Sequence, residues 1–298
     1  KNERKQEKMT KKQEFKSRID TIQTKEPVGN RIEFDIDIKG MTDVGLNKKG
    51  ELTTKWNPNN ARFDYSNVYE LSHTKGKLVE LMELATVVNV DDVKMNRIDI
   101  ATDSTIDFVN NAKMIQLLHK CLVAKIKSGK TWLNIDDTDN KVSNVRFANR
   151  DWNIEFYDKC KESEGNSLYN TRFEVRHLRV KSQDFIHHID KTIDLWQGAL
   201  NNLEVVDKIE IEKLKRIADD ERKECPNMRF TTYVDRHNNE IFTLEQLKEL
   251  YKWWGLKGSF KSWLNDYRKT HILELVNKTQ LNNVIKEVVK SLKSYKKL

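Results

Sequence analysis

The chain has 298 residues, of which 37% are hydrophobic and 34% are charged, with only 3 Pro and 10 Gly. Its apolar residues cluster in periodic runs, so we expect a folded chain with solvated helices rather than a disordered one. The three cysteines lie far apart without a C-x-x-C pair, which argues against a zinc site or a disulfide framework and favours a cytoplasmic location. No apolar run approaches the about 18 residues of a membrane span, and no signal peptide is recognisable, so no membrane partner is expected.

The net charge of +8 is concentrated at the C-terminal end. Residues 248–298 contain 12 Lys/Arg and 4 Asp/Glu, whereas the rest of the chain has 42 of each kind. A basic excess in one segment indicates a polyanionic partner, with nucleic acid ahead of anionic lipid. The alternative is a solvated, lysine-rich helix near the C-terminus.

The first 200 residues show mostly strand-like alternation. Residues 1–26 alternate charges without an apolar stripe, so we predict an exposed helix or arm, placed at 1–29. Strands are predicted at 31–40, 61–67, 95–103, 153–159 and 169–179, a hairpin at 130–136 and 142–150, and helices at 73–88 and 110–127. Strands alternating with two helices predict an α+β or α/β sandwich over 30–200. We assign it to the α+β class, with an antiparallel-rich central sheet and flanking helices.

Residues 201–298 are predicted to be a mostly helical, basic DNA-binding region. A capping box, Thr243 with Gln246, begins one helix, and Gly255 and Gly258 separate two short helices. The two helices around this glycine turn resemble a helix-turn-helix, while the alternative is that their tryptophans form a small core under solvated lysines. A small hairpin is predicted around "HNNE" (237–240), and the chain ends in an amphipathic basic helix.

Charged or reactive side chains share one face within several predicted strands. These sets are Arg62 and Asp64; Arg97, Asp99 and Asp103; Asn153, Glu155, Tyr157 and Lys159; and Arg172, Glu174 and Arg176. If the faces converge, the carboxylates repel each other, and a hard cation such as Mg²⁺ relieves that repulsion while binding phosphate oxygens. This layout is expected of a phosphoryl-transfer site on nucleic acid. The alternative for any one strand is the solvent face of an antiparallel sheet, and a strand tyrosine more often packs than reacts.

Other catalytic classes lack their motifs. The sequence contains no G-x-x-x-x-G-K-[ST], no G-x-S-x-G and no H-E-x-x-H, which argues against a P-loop ATPase, an α/β-hydrolase and a zincin. The seven histidines show no ligand spacing.

Four motifs occur in order over residues 60–180: "RFDYSN" (62–67), "RIDIATD" (97–103), a strand that ends in "FYDK" (156–159), and "RFE" (172–174). This ordered set resembles the Rep_trans family of rolling-circle replication initiators of small Gram-positive plasmids, which extends to relaxases of integrative conjugative elements. The resemblance implies an HUH-like nicking domain at 30–200, although the family lacks the histidine pair of the wider HUH endonucleases.

The resemblance also implies roles for individual residues. Tyr157 falls on the strand-transfer nucleophile and Lys159 on the lysine of the same motif. The metal candidates, for Mg²⁺ or Mn²⁺, are Asp64, Asp99, Asp103 and Glu174. The candidate DNA contacts, some of them from the charge pattern alone, are Arg62, Arg97, Arg172, Arg176, Lys252, Lys257, Lys261 and Arg268. Glu155 stands where several relatives carry a basic residue, so the resemblance supports no role for it.

These roles predict a site-specific DNA nicking and closing enzyme that starts rolling-circle replication on origin duplex and single strand. Attack by Tyr157 gives a covalent phosphotyrosine and a free 3′-hydroxyl that can prime a polymerase. Lys159 and the metal are expected to favour the phenolate, and an Asp or Glu to accept the proton. A homodimer and a host helicase are further candidate partners.

Two other functions remain open at this point. A conjugative relaxase would use the same chemistry, so motifs cannot separate it from a replication initiator. A DNA-binding regulator on a degenerate initiator scaffold would bind without cleaving. An RNA-binding module is disfavoured because no RNP-type aromatic strand is present.

Overall fold

The computed structural model describes residues 13–27, 41–46, 51–56, 94–126, 128–135, 142–180 and 184–297. Within these ranges the chain has an α+β fold built on one antiparallel sheet of eight strands in the order β2-β3-β1-β4-β8-β7-β6-β5. The strands are β1 Phe15–Pro27, β2 Met41–Leu46, β3 Glu51–Trp56, β4 Lys94–Ser104, β5 Lys130–Ile135, β6 Val142–Ala148, β7 Trp152–Asp158 and β8 Thr171–Leu178.

Seven α-helices occur in the described ranges. They are α1 Ala112–Val123, α2 Lys159–Glu162, α3 Phe185–Glu224, α4 Phe230–His237, α5 Leu244–Trp253, α6 Phe260–Thr270 and α7 Lys278–Lys297. The side chain of Asp184 accepts a hydrogen bond from the Ile186 N–H and so begins α3, which continues for 40 residues. None of these helices combines the length and the apolar content that a membrane crossing requires.

The main core lies between one face of the sheet and helices α1, α3 and α7. Alternation along the strands sends apolar side chains such as Ile98 and Ile100 to this face. Trp196 of α3 is fully buried there, with its ring 5.8 Å from that of Phe156 and 5.6 Å from that of Phe173. Because the helices cover this face, the polar side chains of the same strands must lie on the other one.

A second core joins α4, α5 and α6 to the C-terminal part of α3. Leu214 of α3 packs here with Phe230, Leu247 and Leu264. The tryptophans of the basic segment, Trp254 and Trp263 among them, pack against these residues and are partly buried. The small aromatic core that the sequence offered as an alternative is therefore present, and it supports two helices whose lysines remain exposed.

Most strand and helix predictions within the described ranges are confirmed. Strands β4, β7 and β8, the β5–β6 hairpin and helix α1 fall where the alternation and spacing place them. In the C-terminal region Thr243 and Gln246 form the predicted capping box, and the chain turns at Gly255, whose φ of +80° suits glycine, before α6 begins.

Three expectations are corrected. Phe15–Pro27 is not an exposed arm or helix but strand β1, which pairs with β3 and β4 inside the sheet. Residues 237–240 are not a hairpin, because α4 continues into a 3₁₀ turn at Asn238–Glu240. The boundary placed after residue 200 falls within α3, and α7 returns from the helical region to the main core. The strands predicted at 31–40 and 61–67 and the helix at 73–88 lie outside the described residues, as do Arg62 and Asp64.

Candidate active site

The face of the sheet opposite the helices carries a continuous set of charged and polar side chains, which we call the polar face. Its cross-strand pairs are Arg18–Ala101 between β1 and β4; Asp99–Arg176, Ala101–Glu174 and Asp103–Arg172 between β4 and β8; and Glu155–Glu174 and Tyr157–Arg172 between β7 and β8. Antiparallel neighbours point to the same side of a sheet. The register therefore brings together acids and arginines that are far apart in the sequence.

Arg172 is at the centre of the first ion-pair cluster on this face. Its Nε and Nη2 donate to the two carboxylate oxygens of Asp103 at 2.6 and 3.0 Å, and its Nη1 donates to Asp20 at 2.8 Å. Arg18 adds a contact of 2.9 Å to Asp103. Two carboxylates are thus held by two guanidinium groups, and most of the hydrogen-bonding capacity of Arg172 is used within the protein.

A second cluster is formed around Asp99 and Glu174. Arg97 Nε donates to Asp99 at 2.7 Å, and Asp99 is only 1% exposed. Arg176 donates to Glu174 Oε1 and makes a 2.8 Å ion pair with Glu155. Glu155, for which the sequence suggested no role, helps to hold Arg176 against Glu174.

Tyr157 lies on the polar face, at the end of β7, and is half-buried. Its hydroxyl donates a hydrogen bond of 3.3 Å to Glu174 Oε2, while Arg176 Nε donates to the other oxygen, Oε1. The strand ends one residue later because Asp158 caps α2, accepting from the Lys161 N–H. Tyr157 is therefore the last side chain that the alternation of β7 sends to this face before the chain turns.

Burial has a strong effect on the ionisation of this pair. It raises the pKa of the Tyr157 phenol well above its ordinary value, although the positive charge of Arg172 opposes the rise. Burial also raises the pKa of Glu174, which is 2% exposed, to about 7 despite the nearby Arg176. The tyrosine is therefore neutral near pH 7, and the glutamate can either hold or accept a proton there.

The remaining acids of the polar face respond differently to burial. Burial acts to raise the pKa of Asp20, but the positive charge of Arg172 and of its neighbours outweighs it and lowers that pKa. Burial raises the pKa of Asp99 even though Arg97 and Arg176 act against it. Arg172 thus favours the ionised form of Asp20, whereas burial favours the protonated form of Asp99.

Lys159 does not contact the Tyr157 hydroxyl. It is the first residue of α2, its ammonium group pairs with Glu162, and its Nζ lies 6.0 Å from the centre of the Tyr157 ring. In this arrangement Lys159 can favour the phenolate only through its positive charge near the ring, not through a hydrogen bond to the hydroxyl.

The predicted metal ligands are not arranged as a metal site in the part of the chain that the structure describes. No group of three or more His, Cys, Asp or Glu side chains there is placed to hold a metal ion. Asp99, Asp103 and Glu174 instead face arginines, which already neutralise them. Asp64 lies outside the described residues. The use of Mg²⁺ or Mn²⁺ stays a prediction, and the described carboxylates alone do not fit one.

The predicted DNA contacts fall into two groups. Arg97, Arg172 and Arg176 all lie on the polar face and pair with its acids, so they are committed to the protein. Lys252, Lys257, Lys261 and Arg268 are exposed on α5, α6 and the turn between them, and no carboxylate among the described residues pairs with them.

Two residues of the polar face, Arg18 and Asp20, were missed by sequence analysis. A register shift between Ile19 and Thr21 marks a β-bulge, which inserts Asp20 as an extra residue, and its side chain reaches Arg172. The bulge interrupts the alternation that would have indicated a strand. One signal was available: Arg18-Ile19-Asp20 repeats the Arg-Ile-Asp that begins the motif at residue 97.

Comparisons with known proteins give distant structural likenesses but no family. No family model matches the chain, and no curated protein matches it. A solved structure of a rolling-circle replication initiator protein from Geobacillus stearothermophilus aligns with a TM-score of 0.31 and 14% identity, over 60% of this chain and 78% of that one. A likeness this distant carries no argument about function, so the function has to be inferred from the residues of the site.

The Arg172 cluster predicts a large stability effect. Arg172→Met should lower the free energy of unfolding by about 3–5 kcal/mol, because it leaves two acids without their main cation in a buried setting. Urea unfolding measures this loss. Lys269→Met is the matched control, since the Lys269–Asp266 pair is mostly exposed and its removal should change stability by less than about 1 kcal/mol. Equal effects of the two substitutions would contradict the central role of Arg172.

Proposed function

We propose that the chain is a DNA nicking and closing enzyme of the rolling-circle initiator type, with Tyr157 as nucleophile. The observation that carries the proposal is the hydrogen bond from the Tyr157 hydroxyl to the buried Glu174 on the polar face. A nucleophile of this kind needs a base within hydrogen-bonding reach, and a third group that orients the base. Arg176 is placed for the third role. The ordered motifs at 97–103, 156–159 and 172–174 support the same assignment.

The proposed reaction is a phosphoryl transfer from DNA to the protein. The Tyr157 oxygen attacks a backbone phosphorus while its proton passes to Glu174 Oε2. The bond between phosphorus and the 3′-oxygen breaks, and that oxygen takes a proton from water. The products are a 5′-phosphotyrosine and a free 3′-hydroxyl, and closing is the reverse reaction with a 3′-hydroxyl as the attacking group.

Glu174 is suited to this role by its surroundings. Because its pKa is about 7, it is a far stronger base than an exposed glutamate, yet it is substantially ionised at pH 7. Its other oxygen is fixed by Arg176, which keeps Oε2 directed towards Tyr157. A general base with a pKa near the working pH combines these two requirements best.

We further propose that α5 and α6 bind duplex DNA. The exposed cations Lys252, Lys257, Lys261 and Arg268 have no described carboxylate partner, so their charge is available to phosphates. The aromatic core beneath them fixes the relative orientation of the two helices. A relaxase would use the same two surfaces, and its distinction from a replication initiator depends on whether the DNA it cuts is a transfer or a replication origin.

The nucleophile is tested by removing one oxygen atom. Tyr157→Phe should keep DNA binding and abolish nicking of a supercoiled plasmid that carries the sequences flanking the gene, because the ring still packs but cannot attack. Relaxed plasmid on a gel measures nicking, in separate reactions with Mg²⁺, Mn²⁺ and EDTA. Tyr169→Phe, in the loop before β8, is the matched control and should nick normally.

Nicking by Tyr157→Phe at the wild-type rate would refute the assignment of the nucleophile. A wild-type protein that binds DNA but does not nick it would favour the non-catalytic regulator.

The role of Glu174 predicts a pH dependence. Since only the ionised carboxylate accepts a proton, the nicking rate should rise as pH increases through about 7 and then level off. Glu174→Gln should lower the rate by about 10²–10⁴-fold and remove this step from the profile. Rates of single-turnover nicking between pH 5.5 and 9 provide the measurement. A Glu174→Gln profile with the wild-type step would exclude Glu174 as the base.

Duplex binding should depend on salt. Replacing Lys252, Lys257, Lys261 and Arg268 together with Ala should weaken binding and reduce the slope of log affinity against log salt by about 3–4, because each phosphate contact contributes about 0.9. Fluorescence anisotropy with a labelled duplex gives the slopes. Lys208→Ala, an exposed lysine of α3, is the control and should leave the slope unchanged. An unaltered slope in the fourfold variant would place the duplex elsewhere.

A further inference from the structure

The edge strand β5 extends the polar face beyond Tyr157. Lys130, Trp132 and Asn134 alternate along one side of β5, and the register pairs Trp132 with Arg146 and Asn134 with Asn144 of β6. Asn144 in turn pairs with Tyr157 of β7. Since cross-strand neighbours share a side of the sheet, Trp132 is on the same face as the Tyr157 hydroxyl.

Trp132 is exposed beside a cation. Its side chain is 44% exposed, and the guanidinium carbon of Arg146 lies 5.7 Å from its ring centre. Arg146 donates to Asn153 Oδ1 at 3.2 Å, and no carboxylate among the described residues pairs with Arg146 or with the exposed Lys130. An aromatic ring at the surface, accompanied by cations without a carboxylate partner in the described part of the chain, has the composition of a surface that binds single-stranded nucleic acid.

The spacing suits a strand that reaches Tyr157. Trp132 is two strands across and two residues along from Tyr157, which corresponds to about 12 Å from the usual strand spacing and rise. At a rise of ~3.4 Å per nucleotide this is at most about four nucleotides, and fewer in a more extended strand. A DNA strand cut at Tyr157 therefore needs only a few nucleotides to reach Trp132.

We propose that Trp132 is a stacking platform for a base of the single strand that Tyr157 cleaves, with Arg146 and Lys130 contacting the adjacent phosphates. The inference rests on the proposed function, and it adds a site for the single-stranded part of the substrate. These two cations, which pair with no described carboxylate, favour DNA over an apolar partner, since the centre of a protein interface is usually depleted in charged residues.

The test compares two residues of one strand that face opposite sides. Trp132→Ala should weaken binding of a fluorescent single-stranded oligonucleotide of mixed sequence by about five- to tenfold, and Trp132→Phe should restore most of the affinity because a phenyl ring still stacks. Leu133→Ala is the matched control: Leu133 is 46% exposed but points to the other side of β5, so its removal should leave binding unchanged. Affinity for duplex DNA should be the same in all variants.

A second measurement identifies the residue directly. Tryptophan fluorescence of the Tyr157→Phe protein should be quenched by the oligonucleotide, and adding Trp132→Phe should remove part of that quenching because the indole ring no longer contributes. Size-exclusion chromatography of each variant accompanies the binding measurements. Both measurements use the Tyr157→Phe background, so the strand is not cleaved.

Several outcomes would overturn the proposal. These are unchanged binding by Trp132→Ala, an equal loss with Leu133→Ala, an equal loss of duplex binding, or a change of oligomeric state, which would make β5 an interface between copies of the chain. The result is separable from the proposed reaction: if Tyr157→Phe nicks normally, the nucleophile assignment fails while single-strand binding at Trp132 is still measured.

Discussion

Buried carboxylates can stay on the polar face only because arginines from the same strand or a neighbouring strand lie against them. The desolvation of an unpaired carboxylate would cost several kcal/mol, and each acid of this face has a guanidinium partner within the sheet. The pairs that Arg18 and Arg172 make with Asp103 and Asp20 cross β1, β4 and β8, so they also fix the register of three strands. Asp103 and Asp20 therefore reach Arg172 only when the strands pair in this order and register. The same ion pairs neutralise the described acids without a metal ion.

The same constraint shapes the chemistry. Burial keeps the Tyr157 phenol protonated, so its reactivity depends on a nearby base rather than on a preformed phenolate. Glu174 differs from Asp99 and Asp103, whose two oxygens both accept from an arginine, because its Oε2 is left for Tyr157, and burial brings its pKa to about 7. Asp20, by contrast, has its pKa lowered by Arg172 and makes a poor base. Environment, not residue type, thus separates the acid that can take a proton from the acids that organise the sheet.

Local pattern was enough to predict several elements but not their pairing. Strands β4, β7 and β8 alternate strictly, and Thr243 with Gln246 is a short-range signal, so each could be found without tertiary information. Strand β1 could not, because its bulge at Asp20 breaks the alternation and its charges resemble those of an arm. The cross-strand partners of Arg172 and Arg18 also could not be found: a strand pattern shows which residues share a face, as Arg97 and Asp99 do, while the partner across the sheet depends on strand order. Arg97, Arg172 and Arg176 therefore suggested phosphate contacts in the sequence and proved to be partners of acids in the fold.

Helix α3 determines how the two surfaces proposed to bind DNA are related. Its 40 residues extend about 60 Å, and its first part packs under the sheet while Leu214, further along, belongs to the second core. Lys113 of α1 reinforces this connection by donating to the backbone oxygens of Asn238 and Glu274, at 2.7 and 2.9 Å. A continuous helix and an ammonium group that donates to two backbone oxygens allow much less movement than a linker would. In the proposed function, the distance between the bound duplex and the phosphate that is cut is consequently set by the fold, which is a physical basis for cutting at one position.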